Sequence, residues 1–102
     1  MPYIKPEERA FLDPAVTVLA RRLAEHTADM EKADCTGRLN YVVTTLLIKY
    51  VKIRFGKFRY AVGVLRNTLC DVRDEFYRRV VGPYEDKKTE ENGDVGFEDL
   101  LD

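Results

Sequence analysis

Residues 39–55, "LNYVVTTLLIKYVKIRF", decide what kind of fold this chain can adopt. The stretch is rich in valine, threonine, isoleucine and tyrosine, which suit a pleated strand. Its length argues the other way, because strands seldom exceed ten residues and helices routinely do. We therefore read it as a helix that is apolar on several faces. Such a helix must be covered on several faces. Three helices in one small chain do so poorly, so the reading implies a partner subunit.

Helical periodicity extends to both sides of that stretch. Downstream, Phe58, Val62, Leu65, Leu69, Val72, Phe76 and Val80 recur at spacings of four and three, predicting a helix ended by Gly82-Pro83. Gly56 marks the turn before it, and Gly63 inside it costs about 1 kcal/mol relative to alanine. Upstream, Asp13 and Pro14 form a helix-start signal, and Leu12, Val16, Leu19, Leu23, His26 and Met30 make a stripe around and after it. The first helix is thus expected over about residues 14–32, with a loop at "ADCTGR" (33–38). "PYEDKKTEENG" (83–93) is read as a short helix closed by Gly93. The expected architecture is all-α: a small antiparallel bundle of two long helices plus an N-terminal helix, assembled as a homo-oligomer. Residues 1–93 form its single domain, and 94–102 form an acidic, flexible tail.

Composition sets further bounds. The chain has 102 residues, 45% of them hydrophobic and 34% charged, which fits one small globular domain. It holds no apolar run long enough to span a membrane and no apolar signal core near "MPYIKPEERA". Cys35 and Cys70 are the two cysteines and are expected as free thiols in a reducing cytoplasm.

The net charge of −1 hides a segregation. Residues 84–102 carry eight acids and two lysines, whereas no acid occurs between Asp34 and Asp71. That acid-free span holds Arg38, Lys49, Lys52, Arg54, Lys57, Arg59 and Arg66. A field of one sign concentrates ligands of the opposite sign. The acidic tail folding back over this span, within one subunit or between two, is the competing reading.

At the centre of the span, "KIRFGKFRY" (52–60) interleaves cations with aromatic rings. Guanidinium groups recognise phosphate, and rings stack on bases. Arg54, Lys57 and Arg59 are candidate phosphate contacts, and Phe55 or Tyr60 a candidate stacking ring. The ordinary alternative is that the rings close the core and the cations are solvated. Duplex nucleic acid is a poor fit, since the acidic tail would repel it.

Catalytic candidates are sparse. His26 lies on an apolar stripe, where a hydrogen-bonded core or interface histidine is the ordinary expectation. Zinc spacing, a P-loop and a dinucleotide fingerprint are all missing from the sequence. Asp71, Asp74 and Glu75 share a helix face and could hold a divalent cation over a phosphate. Arg73, Arg78 and Arg79 lie beside them, so exposed helix ion pairs explain the same cluster. No cofactor is expected.

"LNYVVTTLL" (39–47) and "FYRRVVGPYEDKKTEENGDV" (76–95), with "MPYI" at the start, resemble a family of short proteins of bacteriophages, prophages and gut bacteria. The matching positions are Met1–Ile4, Leu39–Tyr41, Arg78, Arg79, Pro83–Asp86, Lys88 and Asn92–Val95. The family is one of unknown function, and "GFEDLLD" after Val95 departs from its pattern. The resemblance implies a phage-type accessory protein in the cytoplasm of an infected or lysogenic host. Within the motif, Arg78 or Arg79 pairing with Glu85 or Asp86 would fix a chain reversal at Gly82-Pro83. Alternatively Tyr41, Arg78, Arg79 and Tyr84 would contribute to a polar pocket for a small ligand or a host protein. The leading functional expectation is sequestration, without catalysis, of a nucleotide signalling molecule or other anionic small molecule in counter-defence. The alternatives are an interaction module that inhibits a host protein and, third, a metal-dependent nucleotide hydrolase.

Overall fold

The computed structural model describes residues 3–96 and Leu100, the side chain of Tyr60 excepted. The described residues are all-helical, with no strand among them. Helix α1 spans Pro6–His26, α2 Lys32–Arg54, α3 Val62–Phe76 and α4 Gly82–Asn92. A 3₁₀ turn, Phe58–Tyr60, precedes α3, and a π-helical turn, Tyr77–Val81, joins α3 to α4. The chain divides into two units, Met1–Leu65 and Arg66–Asp102. The expected tail, 94–102, lies largely outside the described residues, as do Met1 and Pro2 of the resemblance.

The stretch at 39–55 is helical, as its length requires. The boundary of α1 is a correction. The helix begins at Pro6, not Pro14, because Pro6 already fills the first helical position after an extended Lys5. Glu7 and Glu8 in the first turn complement the helix dipole, and the Glu8 and Arg9 amides bond to the Lys5 carbonyl at 2.9 and 3.2 Å. Pro14 therefore sits inside α1 and removes one helical hydrogen bond on an exposed stretch.

The break between α1 and α2 also lies elsewhere than expected. Helix α1 stops at His26 because Thr27 turns out of helical geometry, and its hydroxyl donates to the Leu23 carbonyl at 2.8 Å. The Thr27 amide shares that carbonyl at 3.0 Å. Residues 33–38, expected as a loop, form the opening turns of α2, with Asp34 at its N-terminal end. Below them the Cys35 thiol lies 3.9 Å from the Thr27 and Met30 carbonyls and closes the corner. Both cysteines are free thiols.

The third correction concerns Gly82-Pro83, which does not end the helix. Val81 and Gly82 both keep helical torsions, and helical structure runs on to Asn92. The π turn makes this passage feasible. The Gly82 amide bonds to the Tyr77 carbonyl, five residues back, so the backbone widens just before a residue that cannot donate. Gly82 also lacks the Cβ that would collide with the proline ring. A Cβ at this position would stand 2.9 Å from the Tyr77 carbonyl oxygen, closer than such atoms come. The expected turn at Gly56 is present, with φ of 81°, and Gly93 closes α4 with φ of 86°.

Burial is sparse. Among the described residues only Val51, at 4%, and Ala61, at 0%, are buried. The α3 stripe is open: Phe58, Val62, Leu69, Val72, Phe76 and Val80 are exposed, and Leu65 is half-buried. On α1, Leu12, Val16 and Leu19 are exposed, and so is His26, which is no core histidine in the single chain. The chain shows 9421 Å² of accessible surface. Two separate compact bodies of the two units' sizes show about 7,100 Å². No helix of the described residues is long and apolar enough to cross a membrane.

Two glycine substitutions test this backbone account. At fixed protein concentration, Gly82→Ala should lower stability by about 1–3 kcal/mol, since the new methyl meets a backbone carbonyl. Gly37→Ala, in open space inside α2, should raise it by about 0.5–1 kcal/mol. Urea denaturation followed by circular dichroism measures both, and equal effects would refute the assignment of Gly82.

Candidate functional site

The basic turn is built where α2 ends. The Phe55 and Gly56 amides both bond to the Val51 carbonyl, at 2.9 and 3.0 Å, so the last turn widens and the helix ends. Gly56 adopts a left-handed conformation that other residues reach only with strain. Lys57 is extended, and the 3₁₀ turn carries Arg59. Val51 and Ala61, the two side chains buried among the described residues, flank this turn on either side in the sequence.

Arg54, Lys57 and Arg59 are exposed within six residues of one another, a local concentration of positive charge. Phe55 makes two ring contacts with its neighbours. The Arg54 guanidinium lies 4.9 Å from its ring centre, and the Tyr50 ring meets it edge-on at 5.9 Å and 87°. Such cation–π and edge-to-face contacts stabilise by about 0.5–1.5 kcal/mol each. The turn therefore presents cations held in part by aromatic packing. The Tyr60 side chain, the other candidate stacking ring, lies outside the described residues.

Tyr41 is separated from the turn along α2 and belongs to a different feature. Where the end of α1 faces the start of α2, an open groove of about 240 Å³ forms. Leu23 and Val42, half-buried, and Leu19 make its floor. Arg22 and His26 of α1 and Arg38 and Tyr41 of α2 stand exposed around it. On the other side of Leu23 a second groove, of about 360 Å³, runs between Ala20, Ala24 and Thr27 of the α1 end and Cys35, Thr36 and Leu39 of α2.

Arg78, Arg79 and Tyr84 belong to the second unit. Arg78 donates to Glu75 at 2.6 Å, and Arg73 approaches Asp74 at 3.4 Å. The expected pairing of Arg78 or Arg79 with Glu85 or Asp86 is replaced by another bond. The Tyr77 hydroxyl donates to the Glu85 carboxylate at 2.9 Å, across the π turn. The sequence reading missed Tyr77 because residues eight apart meet only if the helix continues through Pro83. Tyr84 lies under the Lys88 ammonium, 5.7 Å from its ring centre. Asp71, Asp74 and Glu75 do not converge on a metal site: among the described residues no three His, Cys, Asp or Glu side chains are grouped to hold one.

These features define a small all-α protein with a cationic turn, a basic-rimmed groove and a tyrosine–glutamate clasp. The chain belongs to a family described as a domain of unknown function (DUF6899), which matches residues 1–95. Gly96 and the residues after it lie beyond that match. Neither a curated protein nor a solved structure matches the chain.

The clasp has a titration signature. Bonding to Glu85, and then the charge of Glu85, raise the Tyr77 phenol above its ordinary value of 10.0 by favouring its neutral form. A raised folded-state value means that the clasp's stabilisation is present below pH 10 and is lost as pH climbs through the Tyr77 ionisation. In ¹³C-tyrosine NMR titrations Tyr77 should ionise above 10, and Glu85→Gln should bring it down. No change in Glu85→Gln would contradict the clasp.

Proposed function

We propose that the protein is a non-catalytic binding protein whose subunits assemble with copies of themselves into an antiparallel helical bundle. One observation carries this reading: apolar side chains on every long helix are exposed, Phe11 at 88% and Ile53 at 86% among them. The surface in excess of two separate compact bodies is about 2,300 Å² per chain. Obligate homodimer interfaces bury roughly 1,000–2,500 Å² from each partner, so a second copy accounts for the excess. The second unit points the same way, because bodies below about 40 residues seldom fold without such support.

Within that assembly the ligand we propose is an anionic small molecule of the nucleotide signalling class, held at the basic turn. Arg54, Lys57 and Arg59 hold its phosphates, and each added subunit brings another such turn. The acid-free span around them supports this choice. The setting we propose is phage counter-defence in a bacterial cytoplasm, which rests on the sequence resemblance alone. The second reading is an interaction module that inhibits a host protein through an uncovered helix face, and the same exposed apolar residues favour it. A metal-dependent hydrolase has the least support, since Glu75 and Asp74 are engaged with arginines.

Light scattering should give a mass of at least two chains, and a clean 11.8 kDa particle would refute the assembly. Calorimetry with cyclic di- and trinucleotides should find micromolar binding and intact ligand after denaturation. Replacing Arg54, Lys57 and Arg59 together by alanine should weaken it at least tenfold, about 1.4 kcal/mol. If no nucleotide binds, the sequestration reading fails, and a stoichiometric partner recovered from host lysate would favour the interaction module.

A further inference from the structure

The groove between the end of α1 and the start of α2 has a composition that the basic turn lacks. Its floor is aliphatic, formed by Leu19, Leu23 and Val42, and no acid lines it. Two guanidinium groups, Arg22 and Arg38, come to it from different helices, so its charge does not depend on one element. Among the described residues neither arginine takes part in an ion pair or side-chain hydrogen bond. His26 adds a ring N–H donor and Tyr41 a phenol. An aliphatic floor with uncompensated guanidinium groups beside it favours a ligand with one apolar body and one anionic head. The apolar part leaves water on the floor, and the head accepts forked hydrogen bonds from arginine.

We infer that this groove is a binding site for a compact aromatic or aliphatic phosphate or carboxylate. At about 240 Å³ it is smaller than the cavities that enclose drug-sized ligands, so it takes a single ring rather than a dinucleotide. The inference goes beyond the proposed function and does not require the basic turn to bind anything. It also gives a role to Tyr41 that the α2 backbone alone does not require.

Calorimetry on the full chain with phenyl phosphate, inorganic phosphate and phenol tests it. Phenyl phosphate should bind at least tenfold more tightly than either half. Arg22→Gln and Arg38→Gln should each weaken it about tenfold while helicity and mass stay unchanged. The combined alanine variant of Arg54, Lys57 and Arg59 should bind it as the parent does. Binding no tighter than inorganic phosphate, or binding indifferent to both glutamine variants, would overturn the inference. Binding lost in the combined variant but kept in Arg22→Gln and Arg38→Gln would move the site to the basic turn, overturning this inference and leaving the proposed function standing.

Discussion

The constraint on which the rest depends is how few apolar side chains are buried among the described residues. Ordering a chain costs about 1–2 kcal/mol per residue in backbone freedom alone, and burial of apolar surface is the main term that offsets it. Here only two described side chains, Val51 and Ala61, are buried, while valines, leucines and phenylalanines stand in water along each long helix. Such helices are marginal in isolation, because most helical stability comes from packing an amphipathic face. Assembly with further copies supplies that packing in our account. In that account it also covers the α3 stripe, which keeps a spacing of four and three while six of its seven side chains are exposed.

Much of the helical content was legible in the sequence, and the failures have local causes. Residues 39–55 read as helix on length alone, against their β-branched content, and the glycines at 56 and 93 stand where the turns require them. The start of α1 was ambiguous in principle, because Pro6 and Pro14 both satisfy the rule for a first helical position. The break at Thr27 depended on one hydroxyl bonding back to Leu23, a contact with no distinctive pattern. At Gly82-Pro83 the rule for proline yielded to a π turn, and the glycine that seemed to terminate the helix is what lets it pass.

The candidate site was legible in charge and less so in geometry. An acid-free span is a property of the sequence, and the exposure of Arg54, Lys57 and Arg59 agrees with it. The ring of Phe55 meets Arg54 and Tyr50, contacts that no spacing rule announces. The groove beneath Arg22, His26, Arg38 and Tyr41 joins residues of two helices. It became visible only once the corner at Thr27 brought those helices together. In the second unit, the motif residue Glu85 has a role as the acceptor for Tyr77, and it holds the widened turn together rather than a chain reversal.

The most direct test of the central claim is the dependence of stability on protein concentration. A folded state that exists only as an assembly is stabilised by mass action, so its unfolding midpoint rises with concentration. Urea unfolding followed by circular dichroism, over a hundredfold range of protein concentration, should show the midpoint climbing steadily, with about 2.7 kcal/mol between the extremes for a dimer. A midpoint independent of concentration, with cooperative unfolding throughout, would show that the single chain is stable alone and would contradict the account.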